Sequence, residues 1–351
     1  KKERYEYVYP NIELIKDIKL DSSYKGTLTF DSNAYHKKYS VNSHDSTNIN
    51  NFEYQSFDYI LNNGLKNNFN LLIKNINSDG HNSTTNRNDV SNKLLGSFLF
   101  ESSYPLKKLG TNYNSFLEPI ASLRYSPTET KNIKNSDRRI DINNIFSTDR
   151  ISDNNTVEGG ESITIGNTYK LTGKNNVKEY LFLGLASNFR LEKNEDLPIK
   201  STIGKKTSDI IGKAKITPNK YFNIDYNFSL DNNLNTSNYD SIKSTLSLNN
   251  FVTSFEYLQE QGDLGSKSFI QNKTSYNFNE ENSLSFSSRK NKVTDLTEFY
   301  NLIYQYKNDC LSAAIEYNKE YYTDNDLKPA EQLLFTITIM PFGKINSTNL
   351  R

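Results

Sequence analysis

The chain has one cysteine, Cys310, one methionine and no tryptophan among its 351 residues, and it has no run of 18 apolar residues. A single cysteine excludes an internal disulfide framework, and one methionine supplies no cofactor ligand set. Without a long apolar run there is no transmembrane helix, and no signal peptide opens the sequence. Apolar residues are scarce, 35% by count, with a mean hydropathy of −0.74. A soluble protein of this length, folded as one large or two ordinary domains, needs a richer core than that. Neither sign of charge dominates, since 42 Lys and Arg stand against 41 Asp and Glu. No basic field is therefore available to draw nucleic acid. The three histidines, His36, His44 and His81, lie in polar strand-end or loop contexts without metal-type clustering and read as surface residues. Glycine loops that cradle phosphate are missing too: Glu158-Gly159-Gly160 lacks the Lys-Ser/Thr of a P-loop and reads as a turn entering a strand at Ile163. The sequence thus predicts no enzyme active site, no cofactor and no metal.

What the chain does have is alternation. In Tyr221 to Asp231 every even position is apolar (Phe222, Ile224, Tyr226, Phe228, Leu230), and after Tyr221 every odd one is polar. Side chains alternate across a strand with a period of two, so this segment has one oily face and one wet face. The pattern returns from Arg4–Leu20 through Asn51–Ile60 to Leu333–Phe342, in about seventeen antiparallel strands. One layer of sheet with lipid on one side and a polar lumen on the other needs few apolar residues, so a transmembrane β-barrel fits the composition. The 24 Tyr and 20 Phe suit strands and interfacial girdles. Connections also alternate: tight turns at Pro218–Lys220 and Asn279–Asn282 are separated by longer stretches such as Glu192–Ser208 and Lys319–Gln332. If the last strand ends at the periplasmic rim, Ser126–Glu161 lies outside and the first visible strand starts outside. Bacterial barrels begin inside, so the expectation is that strands precede Lys1.

Three ordered stretches carry a resemblance. The first is Tyr9-Pro10-Asn11-Ile12-Glu13-Leu14. In the second, Leu117-Glu118-Pro119 and Tyr125-Ser126-Pro127 are followed by Asn144-Ile145-Phe146, Asp149-Arg150-Ile151 and Glu158-Gly159-Gly160. The third runs Tyr304-Gln305-Tyr306-Lys307-Asn308-Asp309-Cys310 into the strand to Tyr317. Together they resemble the C-terminal barrel of the LptD family, the lipopolysaccharide-assembly proteins also called organic solvent tolerance proteins. The resemblance implies a barrel of about 26 strands, with residues 1–351 as its C-terminal portion and a periplasmic jelly roll outside this chain. Family members often carry two adjacent cysteines in the penultimate hairpin that bridge to the N-terminal part. Here Asp309 precedes Cys310, so one such bridge is the most the chain can form; a free buried thiol is the alternative.

The resemblance also implies transport without chemistry, with lipopolysaccharide as the cargo. The partners it implies are an LptE lipoprotein plug, a periplasmic LptA-type bridge and the lipids of the Gram-negative outer membrane. A weak seam in the wall lets acyl chains pass sideways. On this chain the seam strand is Leu333 to Phe342, where Phe335, Ile337 and Ile339 share one face and Thr336 and Thr338 the other. Pro341 lacks a backbone donor and either weakens pairing near Phe342 or ends the strand. For the long loop, the charges at Asp137-Arg138-Arg139 and Asp149-Arg150 leave three readings open: a solvated loop, a salt-bridged plug folded over the lumen, and contact of the arginines with lipopolysaccharide phosphates. Two other functions compete: a general diffusion porin, which would be complete within one chain, and a secreted β-rich adhesin, which predicts internal repeats that are not found.

Overall fold

Alternation of this kind yields an all-β chain. In the computed structural model, residues 5–21, 24–39, 42–83, 90–174, 178–262, 265–321, 330–339 and 343–346 are described. The strands are β1 (Tyr5–Ile18), β2 (Gly26–Tyr39), β3 (Ser43–Ser56), β4 (Tyr59–Ile60), β5 (Lys66–His81), β6 (Ser91–Ser103), β7 (Leu106–Leu109), β8 (Tyr113–Ser126), β9 (Gly160–Gly173) and β10 (Glu179–Arg190). There follow β11 (Ile210–Ile216), β12 (Phe222–Leu230), β13 (Ser237–Leu248), β14 (Phe251–Glu260), β15 (Ser268–Asn277), β16 (Asn282–Asn291), β17 (Thr297–Lys307), β18 (Leu311–Glu320), β19 (Glu331–Ile339) and β20 (Gly343–Asn346). A 3-10 turn lies at Ile199–Ser201. Each of the seventeen longer strands overlaps one of the seventeen expected, β3 starting eight residues and β5 ending five residues beyond the expected bounds, and β4, β7 and β20 are short additions. Asn51–Ile60, expected as one strand, is broken at Phe57 and Asp58, after which β4 pairs with β5 through Tyr59↔Asn67.

The chain divides into two compact units, each described by itself. The first comprises Lys1–Lys108, Phe116–Thr168 and Leu185–Ile210. Here β1, β2, β3, β5, β6 and β8 pair in succession, all antiparallel. Burial alternates along them because one face is covered by the β8–β9 connection, residues 127–159. On β3, Ser43, Asp45, Thr47 and Ile49 are buried; on β5, Leu72, Lys74 and Ile76; on β8, Ser122, Arg124 and Ser126. The opposite face presents Phe69, Leu71 and Ile73 of β5, Phe98 and Phe100 of β6, and Leu123 and Tyr125 of β8, all exposed. This inverts a soluble sheet, in which the apolar face is the covered one.

The second unit comprises Leu109–Ser115, Tyr169–Gly184 and Ile211–Arg351, and in it β12 to β19 form an unbroken antiparallel ladder. Register sorts its side chains as the alternation predicts. One face carries Ile242, Tyr257, Ile270, Phe286, Leu302, Tyr304, Ile315 and Phe335, interrupted by the hydrogen-bonded Thr253, Thr274 and Asn272. The other carries Lys273, Ser287, Asn301 and Asn318 in one cross-strand row. Connection lengths alternate here as expected: 231–236, 261–267, 292–296 and 321–330 against 249–250, 278–281 and 308–310. The order is reversed among β1, β2 and β3, where the β2–β3 connection spans 40–42 and the preceding one 19–25.

Candidate functional site

The long connection between β8 and β9 is bound by side-chain hydrogen bonds and ion pairs to the covered face of the first unit, so it is not a solvated loop. Its fastening begins with Glu158, which is fully buried. Arg150, from the same loop, grips this carboxylate with both arms: Nε donates to Oε2 at 2.9 Å, and Nη2 donates to Oε1. Two strand arginines close from the wall. Arg190 at the end of β10 donates from Nη1 to Oε1 at 2.5 Å and from Nη2 to the Gly159 carbonyl. On β8, Arg124 donates from Nη1 to the Glu158 carbonyl at 2.6 Å and from Nε to the Thr148 carbonyl at 3.0 Å. Arg150 then reaches the wall itself, donating to Asn188 Oδ1 (2.8 Å), Thr164 Oγ1 (3.2 Å) and Ser162 Oγ (3.0 Å).

The electrostatics follow from this crowding. Burial alone pushes the Glu158 carboxyl upward, but the guanidiniums of Arg150 and Arg124 outweigh it and hold its pKa at about 2, against an ordinary 4.5. Three guanidiniums share one carboxylate, and Arg124 Nη2 is buried without a hydrogen-bond partner among the described residues. A second tie lies along the loop: Lys74 of β5 pairs with Asp149 at 3.2 Å and donates to the Asp153 carbonyl at 2.5 Å. Within the loop system Arg138 donates to the carbonyls of Ile151 and Ser152, each at 2.6 Å, and Asp137 pairs with Lys200 at 2.5 Å. Apolar packing adds the rest, with Ile145, Ile151 and Val157 buried and the Phe146 ring seated on the wall. That seat exists because residue 166 of β9 is glycine: a Cβ there would lie 2.7 Å from both the Leu185 carbonyl oxygen and Phe146 Cζ. Gly159 is constrained likewise, since a Cβ would fall 2.1 Å from the Thr128 carbonyl oxygen.

Phe146, Asp149, Arg150, Glu158 and Gly159, singled out in the sequence as separate motif residues, are thus brought together in one fastening. Glu118, in the Leu117-Glu118-Pro119 motif of β8, accepts from Ser103 Oγ at 2.9 Å, and the Pro119 carbonyl accepts from the Tyr104 amide at 3.0 Å. Tyr9 and Pro10 lie on β1, with Tyr9 exposed. Cys310 sits exposed in the β17–β18 turn with its thiol unbridged, so it is not the buried thiol of the alternative reading. Leu333 to Ile339 lie on β19 as expected, while Pro341 and Phe342 fall outside the described residues.

Three residues of the fastening were missed in the sequence: Arg124, Arg190 and Lys74. Two had a signal, a lone cation flanked in sequence by apolar residues, as in Leu123-Arg124-Tyr125 and Phe189-Arg190-Leu191; Lys74, between Ile73 and Asn75, had none. The histidine reading is corrected in one respect. His36 of β2, His44 of β3 and His81 of β5 are clustered, with ring centroids 5.5 Å and 5.2 Å apart, because long strands bring these distant positions to one end of the sheet. Among the described residues, they form no metal-holding group.

Among the described residues, the site holds a loop in place. No curated protein matches the chain. Among solved structures, a triple mutant of the Rh. blastica porin aligns at 7% identity over 83% of this chain and 95% of that one, with a TM-score of 0.35. The open form of the ferric-catecholate import receptor Fiu from E. coli K12 aligns at 9% identity over 90% and 64%, with a TM-score of 0.41. FpvAI in its pyocin S2 complex aligns at 10% identity over 93% and 57%, with a TM-score of 0.39. The LptD family model, LPS transport system D, matches residues 71–282, more than half of the chain and a span containing every residue of the Glu158 fastening. The chain therefore belongs to the LptD family, transport proteins that are β-barrels of the Gram-negative outer membrane.

Proposed function

We propose that this chain is the C-terminal part of the barrel that inserts lipopolysaccharide into the outer leaflet, passing the glycan along a polar lumen and the acyl chains through a lateral seam. The observation that carries this reading is the two-sided sheet: an exposed apolar face suited to lipid, and a polar face that in the first unit is covered by a bound loop. The loop 127–159 then serves as a plug at the outer end of the lumen. Its fastening combines buried Ile140, Ile142, Ile145, Ile151 and Val157 with hydrogen bonds and ion pairs, and it is this polar part that a polar cargo can compete with.

The seam's C-terminal side on this reading is β19. It pairs with β18 along one edge, and over Thr336–Ile339 its other edge is met by β20, through Thr336↔Asn346 and Ile339↔Gly343. Four residues of pairing are little to break, which suits an edge that opens. LptE as the lumenal partner, an LptA-type bridge delivering the cargo, and a bridge from Cys310 to the N-terminal part complete the proposal.

The test is depletion of the full-length protein in its host, followed by measurement of newly made lipopolysaccharide at the cell surface. Loss at the surface with accumulation behind the outer membrane is the expected result. Unchanged delivery with reduced uptake of small solutes would overturn the proposal in favour of a porin.

A further inference from the structure

The exposed face of β2, β3, β5 and β6 changes character along the strands. Two cross-strand rows are apolar or small, Leu28↔Tyr54↔Leu71↔Phe98 and Phe30↔Phe52↔Ile73↔Gly96. Toward the end that bears the 127–159 loop the same face becomes polar. The next rows are Ser32↔Asn50↔Asn75↔Leu94 and Ala34↔Asn48↔Asn77↔Asn92, then His36↔Ser46↔Asp79, then Lys38↔His44↔His81. At about 3.3 Å per residue the four polar rows run some 20 Å along the strands. Regular pairing continues to the last row, so this is structured sheet standing clear of the apolar belt.

The polar groups here are tied to one another. Ser32 Oγ donates to Asn50 Oδ1 at 2.8 Å, Asn50 Nδ2 to Asn75 Oδ1 at 3.3 Å, and Asn75 Nδ2 to Asn92 Oδ1 at 3.2 Å. Asn92 Nδ2 returns to Asn77 Oδ1 at 2.7 Å, and Asn77 Nδ2 to Asn75 Oδ1 at 2.6 Å. An amide offers two donor hydrogens and two acceptor lone pairs, so a ladder of this kind fixes each amide in orientation while leaving part of its capacity facing outward. Beside it, Ser46 Oγ holds His36 Nδ1 at 2.9 Å, the rings of His44 and His81 stack across the strands, and the His36 ring lies tilted against His44. Beside the amides and His36 runs a shallow groove of about 320 Å³ whose surface is almost wholly apolar, with Pro10, Ala34, His36, Asn48, Asn77 and Val90 in its lining, so it offers a seat for the C–H face of a ring and leaves the hydrogen bonding to the amides around it.

We infer that this amide–imidazole face is a saccharide-binding surface that docks the headgroup sugars of glycolipid in the outer leaflet. The inference rests on the outer-membrane reading above, because it is the apolar belt in lipid that sets the polar rows at headgroup height. Sugars present paired hydroxyl donors and acceptors, which pre-oriented amides match, and apolar C–H faces, which stacked rings and small apolar residues match. The face holds glycan beside the barrel wall.

The test uses the tag-free full-length protein in detergent micelles, with histidine labelled for NMR. The probe is the core oligosaccharide of the host's own lipopolysaccharide, freed of lipid and phosphate. The chain's only three histidines are those of this face, so imidazole resonances belonging to it can be picked out by single His→Gln variants. The expected result is a saturable shift of these resonances in the wild-type protein, and at least a five-fold weaker Kd in the double variant Asn48→Leu, Asn77→Leu. No saturable shift in the wild type, or an equal Kd in a double variant that keeps its far-UV spectrum, would overturn the inference. Should the double variant fail to fold, the wild-type titration decides alone. Depletion data separate this from the transport proposal: lost delivery without glycan binding removes the docking face only, and glycan binding with unchanged delivery removes the translocon only.

Discussion

At the scale of residues, the structure turns on one carboxylate. Glu158 sits fully buried among three guanidiniums, so removing its charge leaves cations without a counterion, the costly way to break a buried pair. Glu158→Gln should therefore destabilise the loop-bound state by about 3–5 kcal/mol, read as earlier release of the loop in limited proteolysis. The same geometry fixes a pH dependence. The folded-state pKa of about 2 lies below the ordinary 4.5, so the stabilisation is fully present above pH 4.5 and is lost as pH falls toward 2. Its size is about 3 kcal/mol, and protease sensitivity of the 127–159 segment should rise through that acid window in the wild type but not in Glu158→Gln. Gly166 makes a separate prediction. Gly166→Val places atoms where the Phe146 ring and the Leu185 carbonyl now lie, so it should cost about 1–3 kcal/mol and unseat Phe146. Phe146→Ala combined with Gly166→Val should recover part of that loss, and a double-mutant cycle on loop protection measures it.

At the scale of elements, legibility depended on how local each cause is. A period of two is written in neighbouring residues, so all seventeen long strands were readable, and so were the faces of β19, where Phe335 pairs with Ile315 and Thr336 with Ala314. Short pieces were not. β4 and β7 are too short to show a period, and β20 pairs with β19 through main-chain groups that any sequence offers. The loop fastening was half legible: its motif residues stood out, but Arg124 and Arg190 join Glu158 only through strand register over separations that no local pattern records. The histidine cluster was hidden for the same reason, since 36, 44 and 81 meet only once β2, β3 and β5 are paired. The β17–β18 turn supports a prediction of its own. Cys310 is exposed there with its thiol unbridged in this chain. If it bridges to the N-terminal part of the full-length protein, a maleimide should fail to label it in unreduced membranes and should label it after reduction. Equal labelling in both would remove the bridge.

At the scale of the whole molecule, what separates a closed conduit from an open pore is the plug. A barrel with a polar inner face and no obstruction passes any solute that fits, so the proposed role demands that the bound loop seal the lumen between cargo passages. The loop is attached at two places on separate strands, through its Asp149 to Lys74 of β5 and through its Glu158 to Arg124 of β8 and Arg190 of β10. Removing residues 132–155 keeps Glu158 and both strand ends while deleting most of the covering segment. Cells carrying only this deletion should admit large hydrophilic antibiotics that the wild type excludes, with lipopolysaccharide delivery retained at least in part. Holding the loop down should do the reverse. Ser97 Oγ lies 3.3 Å from the Thr148 carbonyl oxygen, so Ser97→Cys with Thr148→Cys is a candidate tether. Once oxidised, it should lower delivery without raising permeability, and reduction should restore delivery. A deletion that leaves the barrier intact, or a confirmed tether that leaves delivery unchanged, would mean that the loop braces the wall and does not gate the lumen.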